Sequence, residues 1–278
     1  MSTTNVPLSV ATFNILAPCY KRINFSLEKK FEDLYVERAK DTFKYINTLE
    51  CDVICLQEVW FSEKYLNLLS SFFENEYVIA KKKRTRSKSD GVVILVKKST
   101  FTIQEEKSLE FGLAGNRVAL LIKIKSNEQP EHRIVIANTH LTFPHHTYDV
   151  NMRLTQIQKL QNWVKNYNQE EHLPIIIAGD LNGVNDNVYN YMTKKAKYTS
   201  SFKKCREREA RVTHFTHRKE SVGVDFLFLK NFGEIICKPI QAWVEPKELT
   251  DKVWPENFNY SDHRPVKVNF SLEIIKKK

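Results

Sequence analysis

The sequence predicts an α/β (α+β) fold in which two β-sheets pack face to face with helices on the outside, a four-layer αββα sandwich. Strand-like apolar runs alternate with helix-like segments along the chain. The two halves also resemble each other: each runs from a strand with a polar end, through a helix, to an apolar strand that ends in an acid. Asn14 and Glu58 mark the first half, and His140 and Asp180 mark the second. A length of 278 residues suits a single domain spanning 1–278.

The first half begins with a predicted strand, Leu8–Ile15. The segment Phe31–Leu49 predicts a helix, because its apolar residues recur at a helix-like spacing. Asp52–Gln57 is almost continuously apolar, which predicts a strand covered on both faces. Ser62–Phe73 is expected to form a second helix with Ser62 as its N-cap.

A basic run, Lys81–Ser89, contains no apolar residue. It could lie along a phosphate backbone or act as a nuclear address, but the solvated tip of a hairpin is the favoured interpretation. The apolar segment Gly91–Lys97 predicts the strand that follows. Asp52 and Asp90, which flank strands, are interpreted as plain turn residues.

The second half opens with a predicted hairpin formed by Arg117–Lys125 and His132–Thr139. The clearest amphipathic helix of the chain is Val150–Asn168. A strand is expected at Ile175–Ala178. The remaining expectations are a short helix at Asn187–Lys195, a polar and partly irregular loop at Ser200–Ser221, and strands at Val224–Leu229, Ile235–Val244 and Val266–Ile274.

Composition indicates the kind of core, the charge of the partner and the cellular compartment of the protein. Hydrophobic residues make up 42% of the chain and glycines number 7, which favours a sizeable core over disorder. The net charge of +10 favours a polyanionic partner, although solubility alone could explain it. The 5 cysteines form no C-x-x-C pair, which indicates reduced thiols. With no signal sequence and no run of about 20 apolar residues, we expect an intracellular protein, cytoplasmic or nuclear, that uses no membrane.

Polar residues follow the apolar runs at several places. They are Asn14, Glu58, His140, Asp180, Asn182, Asp225, Asp262 and His263. If these strand ends converge, they supply what hydrolysis of a phosphate ester requires. Glu58 and Asp262 offer oxygen ligands for a hard cation. Asp180 suits a base that orients and deprotonates water.

The other members of this set suit charge stabilisation. Asn182, His140 and His263 can donate hydrogen bonds to the charge that grows on the phosphate oxygens. Asp225 can accept a hydrogen bond from His263 and fix its tautomer. Each residue alone has an ordinary explanation, such as a turn cap or a satisfied histidine, so the hypothesis depends on their combination.

Six motifs, taken in order, resemble those of the endonuclease/exonuclease/phosphatase superfamily. They are Ala11–Leu16, Asp52–Glu58, Asn138–Leu141, Gly179–Asn182, Val224–Phe226 and Ser261–Pro265. The resemblance implies a DNase I-like αββα sandwich of mainly antiparallel sheets and Mg²⁺-dependent phosphoester hydrolysis, with Mn²⁺ as a substitute.

The same resemblance implies roles for individual residues. Glu58 would be the principal metal ligand, with Asn14 and Asp262 near the metal. Asp180 would position the attacking water. The scissile phosphate would be contacted by Asn182 and His140, and the supporting pair would be Asp225 and His263. Whether Asp180 or His263 takes the proton is left open.

Within the superfamily, Phe13–Ala17 and Asn138–Pro144, followed by Arg153 and Gln156, resemble the deadenylase/nocturnin branch and especially its plant-type carbon-catabolite-repressor homologues. That branch implies 3′→5′ exoribonuclease activity on single-stranded RNA, with Arg153 and Pro144 as substrate contacts. A packing role for Arg153 is an equal alternative.

The chain departs from this branch upstream of Asp225. The aromatic residue that stacks a base in deadenylases is absent from the segment 218–223. Phe215, or His214 with His217, could replace it. Poly(A) specificity is therefore left open.

Three alternatives to an RNA exonuclease remain at this stage. They are a nucleotide or dinucleotide phosphatase, an abasic-site DNA endonuclease, and an inactive nucleic-acid-binding module. The last is disfavoured because all eight strand-end positions carry competent residue types. We expect the protein to act as a monomer.

Overall fold

A computed structural model describes residues 5–112, 115–143, 147–183, 186–247 and 258–275. The strands are β1 (Val6–Asn14), β2 (Arg22–Ile23), β3 (Ser26–Leu27), β4 (Val53–Trp60), β5 (Tyr77–Lys83), β6 (Asp90–Lys97), β7 (Phe101–Glu110), β8 (Val118–Ser126), β9 (Arg133–His140), β10 (Ile175–Asp180), β11 (Thr199–Ser200), β12 (His214–Phe215), β13 (Ser221–Val222), β14 (Asp225–Lys230), β15 (Ile235–Val244) and β16 (Val266–Ile274).

The helices are α1 (Glu32–Asn47), α2 (Glu63–Phe73), α3 (Thr147–Tyr167), α4 (Asn187–Asn190) and α5 (Ser201–Arg206). A short 3₁₀ turn precedes α1 at Glu28–Lys30, and a π-helical turn continues α4 at Tyr191–Lys195. Ser62 caps α2 as predicted, because its side chain accepts a hydrogen bond from the Tyr65 amide. Within the described residues, no helix is both long enough and apolar enough to cross a membrane.

Two six-stranded sheets form the frame. The first sheet has the strand order β15-β16-β1-β4-β6-β5, and the second has the order β11-β14-β10-β9-β8-β7. Each sheet contains one parallel ladder, β1 with β4 and β9 with β10. The other ladders of both sheets are antiparallel, as predicted. The resemblance between the two halves of the sequence thus corresponds to one parallel strand pair at the centre of each sheet.

The sheets pack against each other through a shared apolar layer. It includes Val10, Val53 and Ile94 from the first sheet and Ile122, Ile136 and Ile176 from the second. Helices α1 and α2 cover the outer face of the first sheet, and α3 and α4 cover that of the second. Because successive strand residues point to opposite faces, central strands with two covered faces need nearly continuous apolar sequence. The four-layer αββα sandwich is confirmed.

The sequence reasoning missed or misplaced several elements. It missed β7, an edge strand whose mixed, largely charged sequence carries little strand signal. The basic run is not all hairpin tip, because Lys81–Lys83 belong to β5 and pair with β6. The segment Ser200–Ser221 is more regular than expected, since it holds α5 and the short ladder between β12 and β13.

Candidate active site

Strand pairing places three predicted residues side by side. Asp180 ends β10 and lies opposite His140 in the parallel ladder with β9. It also lies opposite Asp225 in the antiparallel ladder with β14. The carboxyl ends of the two parallel strands and the start of β14 therefore meet at one edge of the second sheet.

The first sheet brings its own polar ends to the same place. Asn14 ends β1, and Asp262 and His263 precede β16, which runs antiparallel to β1. The Ser261 hydroxyl donates to the Asn14 carbonyl at 2.7 Å and ties this junction down. Between the sheets, Asn14 Nδ2 donates to Asp180 Oδ2 at 3.0 Å. The predicted convergence of distant strand ends is thus observed.

Glu58 reaches this edge through an irregularity in β4. The register between β4 and β6 shifts between Leu56 and Val59, and Glu58 has a positive φ of 54°. Such bulges bend a strand and redirect side chains, and strained backbone of this kind clusters at functional sites. The Ala17 amide and Asn14 Nδ2 donate to the Glu58 carboxylate at 3.2 and 3.3 Å.

A buried amide from the opposite sheet supports this bulge. Asn138 Nδ2 donates to the carbonyls of Leu56 and Val93, both at 2.9 Å. Gln57 Nε2 donates to Asn138 Oδ1 at 2.7 Å and to Thr12 Oγ1 at 3.0 Å. Buried polar groups at the register shift thus form hydrogen bonds with a side chain of the opposite sheet, as buried polar groups require.

Asp180 is the centre of the cluster. In addition to Asn14, His140 Nε2 lies 3.4 Å and His263 Nε2 lies 3.6 Å from its Oδ2 atom. The backbone N–H of Asn182 donates to Asp180 Oδ1 at 3.0 Å. Burial raises the pKa of Asp180, although the neighbouring His263 opposes that effect. A single buried carboxylate therefore faces three nitrogen-bearing side chains.

His263 is held by two acids. Its Nδ1 lies 3.0 Å from Asp225 Oδ2, the partnership that the sequence predicted. Burial by itself lowers the pKa of His263, but the charges of Asp225 and Asp180 outweigh it and raise that pKa to about 10. His263 is consequently a charged imidazolium at neutral pH.

His140 has the opposite electrostatic environment. Burial and then the charges of Arg117 and Arg84 lower its pKa well below the usual value, so its imidazole is neutral. Its Nδ1 is buried without a hydrogen-bond partner among the described residues. An orphaned buried nitrogen at this place fits a site that a ligand completes.

His214 was identified in the sequence only as a candidate for base stacking. Its ring instead lies flat against His263, with centroids 4.1 Å apart and planes 7° apart. Its Nε2 lies 3.6 Å from Asp262 Oδ2. Of the other two candidates, His217 lines a cavity beside the cleft. Phe215 packs against the apolar cluster on the outer face of the first sheet. Only the pairing of β12 with the His263 segment reveals the role of His214.

The acids of the cleft fit a divalent cation. Burial, followed by repulsion from Asp262 and Asp90, raises the pKa of Glu58 to about 7. A cation between Glu58 and Asp262, which line the same cleft, would relieve this cost. Mg²⁺ suits the arrangement, because it uses one or two carboxylates and keeps several waters.

Among the described residues, two groups of three side chains have possible metal-ligand atoms within 4.8 Å of one another. They are His214 with Asp262 and His263, and Asp180 with Asp225 and His263. Glu58 belongs to neither group. Asn14 Oδ1 accepts a hydrogen bond from the Leu16 amide, and its Nδ2 donates to Glu58 and Asp180. Its place near the metal stays a prediction.

The predicted substrate contacts are placed differently. Asn182 lines the cleft with a positive φ of 54°, and its Nδ2 donates to the Leu141 carbonyl at 3.0 Å. Arg153 is buried, donates to the Asn182 carbonyl and pairs with Asp186 at 2.8 Å. This placement favours the packing alternative for Arg153, which supports the Asn182 loop. Pro144 lies outside the described residues.

A second cavity of about 360 Å³ adjoins the catalytic cleft. Its walls include Phe143, His214, His217, Arg218 and Glu220. The rings of Phe143 and His217 lie 6.1 Å apart and are inclined by 52°. The cavity thus offers flat rings and polar groups beside the cluster, the combination that holds a nucleobase.

The interpretation of Asp90 as a plain turn residue was wrong, whereas Asp52 does lie in a bend, directly before β4. Asp90 is buried at the start of β6, where it accepts hydrogen bonds from Tyr20 at 2.6 Å and Arg84 at 3.2 Å. Asp52 accepts from the Ser9 amide and hydroxyl at 2.8 and 2.6 Å. Sequence context could not reveal either partner, because Tyr20 and Ser9 are distant in the chain.

The chain is similar in sequence to known proteins. Residues 11–263 match the Endonuclease/Exonuclease/phosphatase family. An uncharacterized calcium-binding protein of Arabidopsis thaliana is 32% identical over 262 residues, which cover 86% of this chain and 54% of that protein. Angel homolog 2 of Bos taurus is 29% identical over 199 residues, or 66% of this chain and 36% of the relative. The chain thus spans about half or less of the length of these curated relatives.

Solved structures show the same fold. The human Nocturnin catalytic domain with bound sulfate has a TM-score of 0.73 at 20% identity, covering 97% of both chains. ANGEL2, described as a 2′,3′-cyclic phosphatase in complex with adenosine-2′,3′-vanadate, also has a TM-score of 0.73 at 20% identity, covering 99% of both. These proteins belong to the branch that the sequence resembles. The chain is therefore a member of the endonuclease/exonuclease/phosphatase family of hydrolytic phosphoesterases.

Proposed function

We propose that this phosphoesterase hydrolyses phosphodiester bonds of nucleic acid, with single-stranded RNA as the favoured substrate, as a Mg²⁺-dependent 3′→5′ exoribonuclease. The observation that carries the proposal is the Asp180 carboxylate, which faces His140, His263 and Asn14 in a cleft beside a ring-lined cavity. The net charge of +10 supports a polyanionic substrate.

Glu58 and Asp262 would hold the metal. When bound, Mg²⁺ supplies Lewis-acid stabilisation to the phosphate oxygens, and Mn²⁺ can use the same oxygen ligands. Asn14 keeps the Glu58 carboxylate in place through its amide group. The orphaned Nδ1 of His140 and the mutually repelling acids both fit such a group.

The remaining roles follow from the contacts within the cluster. Asp180 orients the attacking water and accepts its proton, since it is the carboxylate on which the nitrogen donors converge. His263 lies between Asp225 and Asp180 and donates its Nε2 proton to a phosphate oxygen as charge develops. Asp225 fixes the orientation of this imidazole. His140 contributes an uncharged ring that contacts the scissile phosphate.

A substrate panel tests this proposal. Purified protein with Mg²⁺ is incubated with oligo(A), a mixed-sequence RNA of equal length and an abasic DNA duplex. We expect stepwise release of mononucleotides from the 3′ end of RNA, abolished by chelator and by Asp180→Asn. Cleavage of the abasic duplex alone, or tight RNA binding without turnover that Asp180→Asn leaves unchanged, would refute an exoribonuclease.

A nucleotide phosphatase is the second candidate. The fold match to ANGEL2, which is described as a 2′,3′-cyclic phosphatase, covers 99% of this chain, and the adjoining cavity of about 360 Å³ suits one nucleoside. RNAs ending in a 2′,3′-cyclic phosphate and a dinucleotide phosphate distinguish the two candidates. Ring opening or release of inorganic phosphate without loss of nucleotides would favour the phosphatase.

A further inference from the structure

Arg117 is a buried charge whose guanidinium group is only partly hydrogen-bonded among the described residues. The residue precedes β8, lines the wall of the catalytic cleft and is only 8% exposed. Its Nε and Nη1 atoms have no hydrogen-bond partner among the described residues. Burial and then the nearby Arg84 lower the pKa of Arg117 to about 10. Asp90 and Glu58 act on Arg117 electrostatically, but no described residue accepts a hydrogen bond from its Nε or Nη1. Buried guanidinium donors without acceptors are costly, so such a group is retained where a ligand supplies the acceptors.

The neighbouring Arg84 does not share this need. It donates to both carboxylate oxygens of Asp90, at 3.2 and 3.3 Å. It also donates to the carbonyls of Gly115 at 2.9 Å and Asn116 at 3.3 Å. Arg84 is therefore satisfied, and it braces the backbone from which Arg117 extends.

The charges around Arg117 do not balance. Asp90 is already bound by Arg84 and by the Tyr20 hydroxyl. Arg84 and Arg117 share Asp90, and the other acid that acts on Arg117 is Glu58, the proposed metal ligand. Lys88 lines the same cleft, whereas Lys21 pairs with Glu28 at 3.7 Å. This part of the wall carries a net positive charge that an anionic ligand would neutralise.

Strand order locates this basic wall relative to the catalytic residues. Asp90 begins β6 and Arg117 precedes β8, whereas Asp225 begins β14 and His263 precedes β16. The strands that carry the centre of the site lie between these flanks in both sheets. Adjacent strands are about 4.8 Å apart, so the basic wall lies about one strand beyond Glu58 and His140. The cleft of about 850 Å³ spans both flanks.

We propose that Arg117, braced by Arg84, binds a second phosphate group of the substrate, on the flank of the cleft opposite His214 and His263. The substrate class is then a nucleotide or oligonucleotide that carries a phosphate beyond the one being hydrolysed. The inference rests on the proposed phosphodiesterase function for its substrate, although the binding of an anion does not require turnover.

Dinucleotides test the position of this phosphate. The value of kcat/KM is measured for ApA, for ApA with a 5′-phosphate and for ApA with a 3′-phosphate. One phosphorylated form should exceed ApA by about 10- to 100-fold, the value of a hydrogen bond to a charged group. Arg117→Met should bring this ratio close to one. The control is Arg133→Met, at the end of β9 away from His140, and it should keep the wild-type ratio.

Two results of this assay would overturn the proposal. One is equal kcat/KM for all three dinucleotides in the wild type. The other is a proportional loss on all three in Arg117→Met, which would mean that Arg117 contacts the scissile phosphate instead. If the wild type cleaves none of the three, the proposed function has failed, and the binding measurement below decides the anion site by itself.

The binding measurement uses pyrophosphate with metal-free protein in the presence of chelator. Pyrophosphate should raise the melting temperature of the wild type and of Arg133→Met, but not that of Arg117→Met. Without ligand, Arg117→Met should melt at or above the wild-type temperature, because buried guanidinium donors without acceptors are removed. An equal pyrophosphate shift in Arg117→Met and in the wild type would exclude the anion site.

Discussion

The imidazole of His214 lies flat against that of His263, with ring centroids 4.1 Å apart. The same His214 ring reaches Asp262, while His263 is bound to Asp225. Side chains from β12, β14 and the segment before β16 thus hold one another in place at the edge of the cleft. This relationship links the proposed metal ligand Asp262 to the imidazolium of His263, and it makes His214 a positioning residue.

Replacing His214 should therefore impair turnover without removing a reacting group. We expect His214→Ala to lower kcat by about 10- to 100-fold, as loss of supporting contacts does at other metal sites. His214→Phe keeps a flat ring against His263, so its melting temperature should stay near that of the wild type while kcat is reduced less. Steady-state kinetics and thermal melts check both variants. Wild-type kcat in His214→Ala would contradict the assignment.

Glu58→Gln should raise the stability of the metal-free protein and lower its activity. It removes a carboxylate whose pKa is raised by burial and by repulsion from Asp262, so the metal-free protein should melt at a higher temperature. Activity should fall by about a thousandfold or more, because a lost metal contribution of several kcal/mol has this effect on the rate. Thermal melts with and without Mg²⁺, together with kinetics, check it.

The exposed Glu106→Gln serves as the matched control for this change. Its melting temperature, its response to Mg²⁺ and its activity should all equal those of the wild type. An undiminished Mg²⁺ response in Glu58→Gln would contradict the role of Glu58 as principal ligand.

Asn138→Leu should weaken both the fold and the metal site. The buried carbonyls of Leu56 and Val93 would lose a donor at the bulge that directs Glu58. Each buried group left without a partner costs about 1–3 kcal/mol, so the free energy of unfolding should fall by at least this amount. Urea unfolding and the Mg²⁺ dependence of kcat measure the two effects. Loss of stability with unchanged Mg²⁺ dependence would mean that the bulge does not depend on Asn138.

The His263–Asp225 pair predicts a pH dependence of stability in metal-free protein. The pKa of His263 is about 10 in the folded state and near 6.5 when unfolded, so its contribution is fully present below about pH 6.5. It is lost progressively as pH rises from there to about 10. Asp225→Asn should reduce this decline, because it removes one of the charges that raise the pKa.

Urea unfolding at pH 7 and pH 9 measures this effect, and the difference between the two proteins separates His263 from other titrating groups. An equal decline in Asp225→Asn and the wild type would show that Asp225 does not hold the proton on His263.

Much of the architecture could be predicted because it follows from short-range patterns. The amphipathic spacing in α3 and the unbroken apolar runs of β4 and β10 identify helix and buried strand without any knowledge of neighbours. The edge strand β7 was missed because most of its residues are polar or charged, so its few apolar side chains give no clear alternation. The last three residues of β5 were not predicted as strand, because they are lysines whose backbone groups pair with β6.

The residue types of the site, their places at strand ends and the family can all be read from the primary structure. Which of these residues are in contact depends on how the two sheets pack: Asp180 is the centre, Arg153 supports a loop, His214 lines the cleft and Asp90 holds Arg84 in its wall. The reason is physical. Periodicity reports which face of a strand is buried, whereas a contact such as Asn14 with Asp180 joins two sheets across 166 residues. Such contacts depend on strand order and register, which no local pattern encodes.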